Sequence, residues 1–181
     1  MSDQDFAGIL ERVANVLNTL EIPHAVVGSV ASSRFGLHRA TMDVDIVTDL
    51  KPAQISGLVS ALRPDFYVDE ILISQAITQH SSFNALHLET GTKLDFFILK
   101  PREYDRVALN RRSGESLSFM TAEDVLLGKL EWYRLGDETS ERQWNDILGI
   151  LRTQTNLDNE YLNKWAAAIG VLDLLERAQK T

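Results

Sequence analysis

Two aspartates sit two residues apart in an otherwise apolar run, Asp43-Val44-Asp45-Ile46-Val47-Thr48, and no other feature restricts the fold of this chain as much. The run reads as a strand over 43–48. Side chains alternate along a strand, so Val44 and Ile46 share one face while Asp43, Asp45 and Val47 share the other. A core strand that puts two carboxylates on one face must present them to a site or to solvent. Upstream, the apolar segment Ile22-Pro23-His24-Ala25-Val26-Val27 ends at Gly28-Ser29, and Ser29 to Phe35 supply two turns of helix before the connector 37–42. Gly36 is expected to close that helix in the left-handed conformation.

The flanking segments give an α/β order. Phe6, Ile9, Leu10, Val13, Val16, Leu17 and Leu20 recur at helical spacing behind a Ser2-x-x-Asp5 start, which predicts an amphipathic helix over 5–20. Pro52 suits a first helical position, and Ile55, Leu58, Val59 and Leu62 carry that helix to Arg63-Pro64. Phe66 to Val68 reads as a short strand and 69–78 as a helix, although Ile71 to Ile73 also suits extended chain. Ser82 to Leu88 and Thr92 to Leu99 form two strands joined by Glu89-Thr90-Gly91, a hairpin-length link. The second strand carries a single acid, Asp95, in an otherwise apolar core. Beyond it the pattern is a helix over 101–109, an extended segment at 117–119, and a helix starting at Thr121. After Gly136 and a polar turn at 137–140 comes another helix, then two short ones over 158–179 broken near Gly170. The expected architecture is therefore an α/β (α+β) domain at 1–119, a mixed sheet flanked by helices, followed by a helical subdomain at 120–181.

Composition excludes several chemistries. There is no cysteine, so disulfides, thiolate nucleophiles and cysteine-ligated metals are ruled out. No apolar run approaches the roughly 18–20 residues of a membrane span. The N-terminus is acidic where a signal peptide would be basic, so the cytoplasm is the expected compartment. A net charge of −8 opposes general attraction to nucleic acid. His24, His38, His80 and His87 lack the helical spacing of a zinc site, and no Gly-x-x-x-x-Gly-Lys loop follows the first strand.

If the strand of Asp95 lies beside that of Asp43 and Asp45 and turns its acid to the same side, three carboxylates meet. Two bare charges about 4 Å apart repel by roughly 4 kcal/mol at an effective dielectric near 20, so such a cluster demands a proton or a cation. Oxygen donors without nitrogen or sulfur favour Mg²⁺ or Mn²⁺, ions that complete their shells with water and phosphate. Gly28-Ser29 supplies a complementary half: a glycine that admits close approach of phosphate, a helix start with unpaired N–H groups, and a hydroxyl.

These elements resemble the nucleotidyltransferases of the DNA polymerase β type, whose signature is a Gly-Ser or Gly-Gly turn, a short helix, Asp-x-Asp or Asp-x-Glu on a strand, and a third acid on a later strand. Here they are Gly28-Ser29, thirteen intervening residues, Asp43-Val44-Asp45, and Asp95. Arg39-x-Thr41-x-Asp43-x-Asp45, Glu123-Asp124-Val125-Leu126-Leu127-Gly128-Lys129 and Arg142-Gln143-Trp144-Asn145-Asp146-Ile147 are similar to the small bacterial branch near the abortive-infection-type toxin nucleotidyltransferases. The resemblance spans residues 20–150. It implies that Asp43, Asp45 and Asp95 bind metal, with Asp95 also deprotonating an acceptor hydroxyl. Gly28, Ser29, Arg39 and Lys129 would serve the nucleotide, and a nucleoside monophosphate would pass from a nucleoside triphosphate to RNA, protein or a small molecule. A role as the toxin of a toxin–antitoxin pair, with a small partner protein, follows from the same resemblance.

Plainer readings stand beside these. An Asp-x-Asp on a strand is commonly a solvated edge, and the whole chain suits a catalytically silent nucleotide-binding or protein-binding module of the same fold. Arg39 either touches phosphate or neutralises the acids. Lys129 lies on a helix whose charges can simply face water, and Asp146 suits an inter-helix contact. Arg102, Arg106, Arg111 and Arg112 form either a solvated face or a contact to an RNA acceptor. For Trp132, Trp144 and Trp165, in the helical third, packing is the ordinary explanation.

Overall fold

A computed structural model describes residues 3–36 and 43–181. Arg39, the connector around it and Ser2 of the expected cap lie outside the described residues.

The chain opens with helix α1 (Asp3–Thr19), strand β1 (His24–Val27), helix α2 (Gly28–Phe35) and strand β2 (Val44–Thr48). A 3-10 turn at Pro52–Gln54 leads into α3 (Ile55–Leu62), followed by β3 (Phe66–Tyr67), α4 (Glu70–Gln79), β4 (Ser82–His87) and β5 (Lys93–Ile98). Five helices complete it: α5 (Glu103–Asn110), α6 (Ala122–Leu135), α7 (Glu141–Thr153), α8 (Asn159–Ala168) and α9 (Leu172–Gln179). No helix among the described residues is long and apolar enough to cross a membrane.

The strands form one mixed sheet in the order β1-β2-β5-β4-β3. Only β2 and β5 run parallel; the other neighbours are antiparallel. One face is sealed by Val44, Ile46, Phe83, Ala85, Leu94 and Phe96, with Phe83 and Phe96 stacked at 4.9 Å. The opposite face carries Asp45, Val47, Asp95 and Phe97, all half-buried, and becomes bare over the far strands, where Asn84, Leu86 and Tyr67 are exposed. One continuous hydrophobic cluster joins sheet residues such as Ile46 and Phe96 to helical residues such as Leu126, Ile147 and Leu174. Helix α2 packs on β1 and β2 and against α6 and α7, tying the helical third to the acid-bearing strands.

Local chemistry explains most element boundaries. Asp69 accepts from the N–H groups of Ile71 at 2.8 Å and Leu72 at 3.1 Å, and this cap settles the ambiguous run Ile71 to Ile73 as helix. Thr121, Ser140 and Asp158 cap α6, α7 and α8 in the same way. The extended segment at 117–119 bridges to β1: Val26 donates to Ser118 O at 2.8 Å and Met120 donates to Val26 O at 3.2 Å.

Gly36 differs from expectation. Its φ is −133°, outside the left-handed region, and its N–H closes α2 onto Ser32 O at 2.7 Å. The glycine serves close packing: a Cβ there would meet the α7 backbone at 3.1 Å from Ile150 N and 3.2 Å from Gly149 C. Gln154 then ties the end of α2 by donating to Phe35 O at 2.7 Å.

Candidate active site at the β1–α2 turn

The left-handed residue in this region is Gly28, at φ +63°. Antiparallel pairing sets Val27 opposite Asp45, so the next residue turns directly over the Asp45 side chain. A Cβ on Gly28 would overlap the Asp45 carboxylate, and a side chain would also strain the backbone. With glycine in place, Asp45 approaches closely enough to accept the backbone N–H of Ser29.

Parallel pairing of β2 with β5 places Asp95 directly opposite Asp45, and both lie between buried neighbours of the other face. The two acids therefore leave the same side of the sheet from adjacent strands. Asp43 precedes β2 by one residue and is exposed. Burial, above all, raises the Asp45 carboxyl, and the charge of Asp95 raises it further; Ser29 N–H and Lys129 oppose the shift, and Asp43 adds to it. Asp95 has a cation beside it, Lys93 Nζ at 2.7 Å from Oδ2. Lys93 is held above its ordinary value chiefly by that hydrogen bond, with the charges of Asp95, Asp43 and Asp45 contributing.

A cleft of about 360 Å³ begins at Gly28, Ser29 and Asp45 and runs beneath α6, over a floor that includes Val47, Phe97 and Leu99. Gly128 of α6 lines it, and no atom lies within 4 Å of where its Cβ would be. Trp132 departs from a simple packing role: it is 55% exposed and stands edge-on to Phe97 at the cleft, with centroids 5.9 Å apart. Trp165 is buried, and Trp144 packs on Tyr133 at 5.1 Å.

Lys129, expected to serve the nucleotide, lines the same cleft, and the plainer reading in which it simply faces water does not hold. It is 5% exposed, and its Nζ lies 2.8 Å from Asp146 Oδ2 and 3.4 Å from Gln143 Oε1. Asp146 is thus an inter-helix contact between α7 and α6.

Sequence reasoning missed the polar group at the other end of the cleft. Arg102 donates to Asp105 at 2.5 Å and to both oxygens of Glu131 at 2.7 and 3.1 Å, and Lys100 donates to Glu131 at 3.2 Å. No spacing in the chain links residue 102 to residue 131; the packing of α5 beside α6 creates the pair. Arg111 lies over the Tyr161 ring at 3.7 Å and 3.3 Å from Glu123. Arg102 and Arg111 are therefore consumed internally and form no solvated basic face.

The donor chemistry suits a hard divalent cation: oxygen ligands only, two of them in register, and one desolvated acid destabilised by its neighbour's charge. Asp45 and Asp95 are the pair that would hold it. Among the described residues, however, no three His, Asp or Glu side chains are gathered around a common point.

Comparison with known proteins finds the fold. No family model matches the sequence, and no curated protein matches it. Solved structures do match. An antigenic nucleotidyltransferase-like protein from Paracoccidioides brasiliensis superposes with a TM-score of 0.52 at 18% identity, over 99% of this chain and 94% of that one. The antibiotic-resistance factor ANT(2'')-Ia gives 0.59 at 12% identity, over 98% and 97%. JHP933 from Helicobacter pylori gives 0.51 at 15% identity, over 99% and 88%. The chain thus has the nucleotidyltransferase-like fold along nearly its whole length.

Proposed function

We propose that this chain, built on the nucleotidyltransferase-like fold, transfers a nucleoside monophosphate from a nucleoside triphosphate to an acceptor hydroxyl with the help of Mg²⁺ or Mn²⁺. The observation that carries this reading is the in-register pair Asp45–Asp95, with Asp45 beside the Gly28-Ser29 turn at the head of a cleft. The acceptor oxygen attacks the α-phosphorus, the bond to the β-phosphate breaks, and pyrophosphate leaves. Asp95, on the open side of the pair, takes the hydroxyl proton. The start of α2 beyond Ser29 offers N–H groups to the phosphates. Asp45 and Asp95, together with Asp43, would hold the divalent ion, which when bound would supply charge stabilisation to the entering and leaving oxygens. The floor of Val47 and Phe97 beneath Gly128 gives the rest of the nucleotide an apolar bed. Acceptors reach Asp95 across the bare sheet face of Asn84, Leu86 and Tyr67.

Arg102 and Arg111 already spend their charge on Asp105, Glu131 and Glu123, which counts against an RNA acceptor bound through these two residues. The toxin role and the small partner protein rest on the sequence resemblance. The rival reading is a silent binding module of the same fold, for which it counts that no group of three or more metal-ligating side chains is found among the described residues.

Melting with each of four nucleoside triphosphates plus Mg²⁺ tests binding. Ligand at one hundred times its Kd adds about 2.7 kcal/mol of stability. Absence of any shift would remove both nucleotide readings. Labelled triphosphates, followed for pyrophosphate release and label transfer, separate turnover from silent binding.

A further inference from the structure

Lys93 stands two residues before Asp95 on the same face of β5, so its ammonium shares the sheet surface with Asp95 and, across the parallel ladder, with Asp45. The ion pair is direct, 2.7 Å from Nζ to Asp95 Oδ2, and it is accessible: the Lys93 side chain is 46% exposed and that of Asp95 21%. Asp95 is one of the two acids that the fold sets in register to hold a divalent ion. The cation at this acid is supplied by the chain itself.

We propose that Lys93 is a built-in counter-ion of the acid site, and that a divalent metal ion must displace its ammonium from Asp95 in order to bind. The inference rests on the metal-dependent reading above and adds a residue to it. Two observations meet in it. The Nζ–Oδ2 distance is that of a charge-assisted hydrogen bond, so the oxygen engaged by Lys93 is one that a metal would need. Lys93 has open solvent into which it can swing, so displacement requires no repacking of the core.

A positive charge at this distance from a ligand oxygen both repels a divalent ion and competes for its lone pairs. Metal affinity of the free protein is thereby kept low, and the ion enters most readily in company with the negative triphosphate. Lys93 acts as a positioning residue, setting Asp95 in the absence of metal and yielding it on loading.

Titration of Mn²⁺ alone into wild type, Lys93→Met and Lys93→Arg, read by the signal of free Mn²⁺, tests this directly. Lys93→Met is expected to bind Mn²⁺ roughly tenfold or more tighter than wild type, while Lys93→Arg stays weak. A parallel melt in chelator should show Lys93→Met less stable than wild type, because the acids lose their counter-ion, with the difference reversed by Mn²⁺. Equal Mn²⁺ affinity in wild type and Lys93→Met overturns the counter-ion role and leaves nucleotidyl transfer standing. No Mn²⁺ binding by any variant, even with nucleoside triphosphate present, overturns the metal-dependent reading and this inference with it.

Discussion

Gly28 lies directly over Asp45: the left-handed turn at φ +63° brings the glycine so close to the Asp45 carboxylate that a Cβ has no room. The Gly28-Ser29 turn and the acid strand are thus one construction. Gly28→Ala is expected to cost about 1–3 kcal/mol, from left-handed strain and the displaced carboxylate, and to abolish the melting shift with Mg²⁺ and triphosphate. Denaturant titration together with the ligand melt checks both. Unchanged stability would mean that the turn relaxes freely.

Asp45 is a desolvated acid beside another acid, and its raised carboxyl makes it a cost to the folded state at neutral pH. Asp45→Asn keeps an oxygen for Ser29 N–H and removes the charge. The variant should melt higher than wild type in metal-free buffer while losing pyrophosphate release. Full activity in Asp45→Asn would rule out its role at the metal.

The pair Lys129–Asp146 joins α6 to α7, with Lys129 buried and Asp146 partly so. Truncating Lys129 alone removes the cation at 2.8 Å from Asp146 and should destabilise the chain by about 1–3 kcal/mol. Replacing both partners, Lys129→Met with Asp146→Leu, should recover most of that stability. Triphosphate affinity measured in the stable double variant then isolates any contact of Lys129 with phosphate, which the single variant cannot do.

Glu131 gives a pH signature. Burial pushes its carboxyl up, but the hydrogen bond from Arg102 and the charge of Lys100 outweigh this and hold it below the usual value. A depressed acid adds stability above its unfolded value, about 4.3, and loses it as pH falls through the lower folded value. Glu131→Gln should therefore be less stable than wild type at pH 7, with the gap closing in acid. Thermal melts between pH 3 and 7 would show a constant gap if the pairing were unimportant.

Gly128 is an interior residue of α6 with open space where a Cβ would stand. Gly128→Ala should raise stability by about 0.5–1 kcal/mol through helix propensity. Gly128→Leu places its side chain in the cleft and should weaken triphosphate binding while the fold persists. Normal binding by the leucine variant would place the nucleotide elsewhere.

Much of this arrangement is legible in the residues. Alternation in Asp43 to Thr48 separates acids from core positions, and the helical repeats of α1 and α3 are evident from Phe6 to Leu20 and from Ile55 to Leu62. Asp69, Thr121, Ser140 and Asp158 mark helix starts because a short polar side chain can close on the N–H groups two or three residues ahead. Gly36 misled because a glycine after a helix suggests a left-handed cap, whereas the chain uses it to let α7 approach. The partner of Lys129 was not legible, because helical spacing identifies a stripe but not which neighbour covers it.

The sequence by itself determined which residues could share a face: Asp45 with Val47, Asp95 with Phe97 and Lys93, Gly28-Ser29 at the end of an apolar strand. Those relations follow from the period of the strand and the conformational freedom of glycine, which act over a few residues. Only the tertiary structure decided that Asp45 faces Asp95, that Lys129 meets Asp146 and that Arg102 meets Glu131. These depend on strand order and helix packing, where residues distant in the chain become neighbours because burial of the shared core, and not local preference, selects the arrangement.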